Sequence, residues 1–204
     1  MTKVQEKSIK GLLLIPICLT FLYSSCVISQ QWSENYASLE GARSNDPLII
    51  DGNLQTVGQS QIIRKSGSLE VDLYVPSESM ILLPEKKSVH RVVVHSTNLK
   101  AFELMARDSD GEWNIIHEHK GKHQPVFDLR IKPSYITDSI KLVVRSTTDD
   151  GEQKRKNLKV ERENEVTLSG QVRRGRPVYK VYGPLKARAK IAEIKLYGFA
   201  EKDP

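Results

Sequence analysis

Apolar and polar residues alternate with period two along most of this chain, the pattern of strands that bury one face. The segment "KIAEIKLYG" at 190–198 shows it: Ala192, Ile194 and Leu196 alternate with Glu193, Lys195 and Tyr197. "LEVDLYV" at 69–75 repeats the pattern through Leu69, Val71, Leu73 and Val75, and "AFELMAR" at 101–107 through Phe102, Leu104 and Ala106. "HRVVVH" at 90–95 reads as a buried strand, and "EWNIIHEH", "VFDLRI" and "IKLVVR" supply three more. "DSDG" at 108–111 reads as a hairpin-type turn, because Asp and Gly suit the backbone there. Many short strands, Gly/Asp turns and almost no helical period predict an all-β, antiparallel sandwich. Within that pattern Glu193 is conspicuous. A carboxylate there either faces water or reaches a cation held elsewhere in the chain.

The first 25 residues follow a different rule. Lys3, Lys7 and Lys10 precede the apolar run "GLLLIPICLTFLY", which is too short to span a bilayer, and small residues follow. This predicts a signal peptide over 1–25. "LYSSC" resembles a bacterial lipobox, with Tyr23 where Leu is usual, and implies that Cys26 becomes a lipidated N-terminus; a cut after Ser29 is the alternative and gives a secreted protein. A polar tether over 26–35 and a short tail over 200–204 flank the expected domain, 36–199. Cys18 and Cys26 are the only cysteines among 204 residues, so the exported domain is expected to rely on its core or on a bound metal. Loss of Lys3, Lys7, Lys10 and Glu6 takes the formal charge from +6 to +4, an excess too mild to imply nucleic acid.

One stretch interrupts the strands. "DDGEQKRKNLKVERENEV" at 149–166 is dense in charges of both signs, and "RRGRP" follows at 173–177. The pattern predicts a solvated hairpin or long loop inserted near 149–178, before the last strand. A basic contact patch for polyanions is the functional alternative.

The two ends of the domain carry a resemblance. "YASLEGARSNDPLIIDGNLQT" at 36–56 and "AEIKLYG" at 192–198 resemble the ends of a discoidin, or coagulation-factor type C, domain of the galactose-binding-like kind. "LEVDLYVP", "VHRVVVHS" and "FELMARDSDGEWNII" resemble the middle of that family in the same order. The resemblance implies an eight-stranded jelly-roll sandwich with binding loops at one end. It also implies a structural calcium ion joining the early loop to the last strand. Asp51, Thr56 and Glu193 fall on its ligand positions, with backbone carbonyls of Asn53 and Ala192 completing the shell. Calcium accepts such mixed carboxylate and carbonyl donors. The sequence departs from the family at Val57-Gly58, where an aromatic is usual. Without a metal, Asp51 caps a turn and Glu193 is solvated.

Other chemistry is thin. His117, His119 and His123 cluster in "HEHKGKH", but no cysteine is near to complete a zinc site. There is no HExxH, nucleophile elbow or Gly-rich phosphate loop. Asp108 and Asp110 are expected to serve their turn, and family habit puts Trp113 in the core. The resemblance extends to family 32 carbohydrate-binding modules and implies a non-enzymatic module that binds glycans on a bacterial cell surface. Arg64, His90, Asn98 and Tyr182 are the loop candidates for sugar contacts. The alternative is an envelope assembly protein with a protein partner.

Overall fold

A computed structural model describes residues 31–62, 75–166, 169 and 172–200, the side chains of 163–166 and 172–174 excepted. The leader, Cys26, Arg64 and the "LEVDLYV" segment up to Tyr74 lie outside these residues. Ten strands are described: β1 (Arg43–Ser44), β2 (Gly58–Gln59), β3 (Gln61–Ile62), β4 (Ser77–Ser96), β5 (Leu99–Arg107), β6 (Trp113–His119), β7 (Val126–Thr147), β8 (Leu158–Val166), β9 (Val172–Val181) and β10 (Lys190–Tyr197). One helix, α1 (Asp150–Asn157), and 3-10 turns at Tyr36–Ser38 and Pro47–Ile49 join them.

Eight strands form one antiparallel sheet in the order β2-β10-β4-β7-β5-β6, with β1 and β3 also pairing β4. Two strands are long enough to belong to two layers. β4 pairs β7 over Glu78–Leu82, skips from Leu82 to Lys87, and pairs it again to His95. The skipped residues include exposed Pro84, Glu85 and Lys86, so both strands bend where no apolar alternation holds them flat. The early half of β4 lies with β5, β6 and the late half of β7. Its late half lies with β10, β2 and the early half of β7.

The layers face each other across one core. Phe102, Leu104, Ile140 and Leu142 come from one layer, and Val92, Val94, Phe127, Ile194 and Leu196 from the other. Phe102 and Phe127 meet edge to face across the sandwich, centroids 5.0 Å apart. Each fully buried Leu, Ile or Phe contributes about 1.5–3 kcal/mol. The outer faces carry ion pairs such as Glu103–Arg145 at 2.6 Å and Arg91–Asp128 at 2.7 Å. The all-β, antiparallel sandwich expected from the alternation is therefore the fold.

Three expectations need correction. The segment 32–35 is not a free tether. Trp32 bridges Phe199, Ser33 and Gly198 exchange hydrogen bonds, and Asn35 accepts from the Leu196 N–H at 2.9 Å. Gly198 permits this closure, because a Cβ there would lie 2.1 Å from the Tyr36 hydroxyl. Trp113 is not in the core. It stands half-buried on the outer face opposite Arg107, with Lys141 Nζ 4.6 Å above its ring. The charged insertion is a hairpin, β8–β9, in its own two-stranded sheet, but it begins with a helix that its sequence pattern did not predict. Helix α1 buries no residue, so no apolar period marks it. Asp150 and Glu152 in its first turn and Lys154, Arg155 and Lys156 in its last complement its dipole.

Candidate functional site

Two places on β10 concentrate unusual chemistry. The first is Glu193. β10 bulges between Ile191 and Glu193, leaving Ala192 without a cross-strand partner, and the 46–56 segment covers the outward face beside the bulge. Glu193 is consequently 0% exposed, and neither carboxylate oxygen has a hydrogen-bond partner. Solvation of Glu193, one of the two sequence expectations, is overturned. Burial pushes its carboxyl above the ordinary glutamate value. Lys195 opposes this, the Asp51 carboxylate adds to it, and the nearby Gly52 N–H opposes it without reaching hydrogen-bonding geometry.

The loop facing it is an ordered turn. Asp51 Oδ1 accepts from the Asn53 N–H at 2.9 Å, and Gly52 holds φ 77°, where a side chain would be strained. Thr56 Oγ1 lies 2.7 Å from both Asp51 Oδ2 and the Asn53 carbonyl oxygen. One hydroxyl proton serves both acceptors, so three oxygens crowd a single hydrogen. A half-exposed oxygen cluster beside an orphaned buried carboxylate is a donor set that fits a hard divalent cation. Of the sequence-predicted residues, Asp51, Asn53 and Thr56 share one turn, and Asp51 acts on Glu193, the strand neighbour of Ala192.

The second place is a cleft of about 410 Å³ where β10 begins. Gln59 of β2, Glu152, Gln153 and Lys156 of α1, and the 184–190 segment form its walls. Asn98, only 2% exposed, is the peg beneath it. Its Nδ2 donates to Asp149 Oδ2 at 2.9 Å and to the Arg188 carbonyl at 3.0 Å, and its Oδ1 accepts from the Lys190 N–H at 2.7 Å. Asp150 accepts from Ala187 N–H and from both Thr147 groups, N–H and hydroxyl. Buried Ser60 receives the Ala189 N–H at 2.8 Å. The main chain from 187 to 190 is therefore held from below, and Arg188 and Lys190 project outward from it. Asp149 is lowered from its ordinary value by Asn98 and Lys190, against the effect of burial.

The remaining candidates separate. Asn98 belongs to the cleft, as a buried peg and not as an exposed donor. His90 sits inside β4 near its bend, its ring 4.0 Å from that of Phe199. Tyr182 is 61% exposed and lies outside the cleft, beneath Lys159. His117 and His119 share a face as expected, but it is the inner one. His119 stacks on Phe102 and meets Phe127 edge to face, and His123 contacts the Leu99 carbonyl. Among the described residues no group of three or more His, Cys, Asp or Glu gathers as a metal cluster. Asp108 accepts from the N–H groups of Asp110 and Glu112, the turn-serving role expected of it.

No protein-family model and no curated protein matches this chain. Among solved structures it is similar to the Clostridium perfringens protein described as CpGH89CBM32-6, at 14% identity and TM-score 0.49, over 80% of this chain and 98% of that one. It is similar to the family 32 module of C. perfringens NanJ, solved with galactose, at 14% identity and TM-score 0.44, over 77% and 92%. A chitosan-binding module of Paenibacillus sp. IK-5, solved with chitotriose, matches at 12% and 0.47, over 80% and 100%. These likenesses concern overall fold alone, and no residue of this chain takes a role from them.

Proposed function

We propose that this chain is a non-enzymatic binding module for saccharides, exported to the bacterial cell envelope. The cleft at the head of β10 carries the reading. It is open and polar, its rim is fixed from beneath by Asn98, Asp150 and Ser60, and Gln59, Gln153 and Arg188 offer hydrogen-bond donors to hydroxyls. The discoidin-like order of the sequence motifs supports the same ligand class. A glycan array probed with the purified protein tests it. Retention of a defined saccharide set is expected. No retained saccharide, together with a protein partner captured from envelope extract, would replace this reading with the assembly role.

Calcium is the proposed structural cofactor. Asp51 and Glu193 would supply carboxylates, Thr56 its hydroxyl, and Asn53 and Ala192 their carbonyls. Bound there, calcium would neutralise both carboxylates and join the early loop to the closing strand. Export rests on the leader pattern, with Cys26 as the lipidated residue. Mass spectrometry of the mature protein should find an acylated Cys26 at its N-terminus; a chain beginning at Gln30 would make the protein freely secreted instead.

A further inference from the structure

We infer that the cleft selects an anionic saccharide, one bearing carboxylate or sulfate groups, over a neutral one; this deepens, and rests on, the saccharide-binding reading above. Two observations carry it. Among the described residues no aromatic ring lines the cleft, whose apolar walls are Ile62, Pro184 and Ala187. Neutral sugars are commonly gripped by an aromatic platform against the ring face, which these walls do not offer. It offers cations. Lys156, Lys186, Arg188 and Lys190 line it.

These charges are not equally committed. Lys190 is paired with Asp149 at 3.0 Å. Lys186 donates to the neutral Arg145 carbonyl, which leaves its charge uncompensated. Among the described residues Lys156 and Arg188 have no ion pair or side-chain hydrogen bond, and Glu152 is the uncommitted carboxylate. Among the described residues the cleft thus holds a surplus of two positive charges. Arg188 stands on main chain held by Asn98, Ala187 N–H to Asp150, and Ala189 N–H to Ser60, so the ordering cost of binding falls mainly on its exposed side chain. Its guanidinium fork matches a carboxylate or sulfate in two parallel hydrogen bonds. The cleft's volume lies within the small-ligand range of about 300–1,000 Å³, suited to a few sugar rings rather than a nucleic-acid duplex.

Isothermal titration of the purified protein with trigalacturonate, a heparin-derived tetrasaccharide, the neutral trisaccharide cellotriose and a short single-stranded DNA tests this. At least one anionic saccharide should bind about tenfold or more tightly than cellotriose and weaken with salt, as exposed charge contacts do. Arg188→Gln should weaken it about ten- to hundredfold, the loss expected for one charged hydrogen bond, and Arg188→Lys should restore part. Lys132→Gln, which removes an equal charge at the far bend of β7, should change nothing. Cellotriose bound as tightly as the anionic sugars, and unaffected by Arg188→Gln, would overturn the inference and leave the saccharide reading standing. No saccharide bound would overturn both. DNA bound more tightly than either anionic sugar would also overturn the inference.

Discussion

Glutamate 193 makes the metal proposal measurable. In metal-free protein its buried carboxyl has no hydrogen-bond partner, and burial, then Asp51, raise its pKa against Lys195 and the Gly52 N–H. A carboxyl with a raised folded pKa binds its proton more tightly in the native than in the unfolded state. Its contribution to stability is complete below the ordinary glutamate value and is lost as pH rises through the folded value. Without metal, this one group therefore lowers stability as pH climbs from the ordinary carboxylate range towards neutrality. Calcium reverses the sense, because it needs the ionised form. At a hundredfold excess over Kd, a ligand specific to the folded state adds about 2.7 kcal/mol. For a domain of this size that raises Tm by roughly 5–11 °C. Thermal unfolding followed by circular dichroism, in chelator and in calcium across a pH series, reads both effects. Glu193→Gln should lose most of the calcium gain and flatten the metal-free pH dependence. Exposed Glu112→Gln should keep both; Lys195 is no neutral comparison, since its charge acts on Glu193. A wild type whose Tm ignores calcium at neutral pH would refute the metal site and leave Glu193 a buried acid.

Gly198→Ala should lower Tm by several degrees, because the new methyl meets Tyr36 Oη and the Ser88 carbonyl and overpacking of this kind costs about 1–3 kcal/mol. Asn98→Ala should cost about 2–4 kcal/mol in denaturant unfolding and also weaken ligand binding, since it strips partners from Asp149, the Arg188 carbonyl and the Lys190 N–H. Replacing 161–178 with Asn-Gly, which closes the hairpin at the Val160–Tyr179 pair, should leave Tm nearly unchanged. Asp150→Ala, by contrast, should lower it measurably, because the start of α1 holds the cleft rim.

Strands with one buried face were legible because period two survives wherever a layer covers one side. "HRVVVH", "AFELMAR", "VFDLRI", "IKLVVR" and "KIAEIKLY" all fall within observed strands. What alternation cannot reveal is a strand that changes layers. Pro133 separates "VFDLRI" from "IKLVVR" in the sequence, yet both lie in β7, because the chain stays extended through a bend where it has no core to face. Glu193 was legible as a candidate but not as a buried group, since what buries it is the loop at 46–56, more than a hundred residues away. Of the cleft only separate members were legible, Asn98 as a loop candidate and the charged 149–178 segment as a basic patch, and not their meeting. Asn98 reaches Asp149 across 51 positions and Arg188 across 90, and no local pattern joins residues so far apart.

Both sites lie on the same strand, and that has a thermodynamic consequence. Lys190 opens β10 at the cleft and Glu193 lies three residues on, roughly 10 Å along a strand. The backbone between them contains the bulge, the one irregular point in the pairing of β10 with β4. A cation that fixes Glu193 would restrict that bulge and so steady the Lys190 N–H that Asn98 holds. Ordering already supplied by one ligand need not be supplied again by the other, so the two should bind with positive cooperativity. Linkage requires the effect to be mutual: whatever factor calcium adds to saccharide affinity, saccharide must add to calcium affinity. Titrating trigalacturonate with calcium and with chelator, then calcium with and without trigalacturonate, should return the same factor, about fivefold or more at the lower edge of typical couplings. Equal saccharide affinity with and without calcium would show the bulge to be rigid on its own, and the two sites on β10 to be neighbours without coupling.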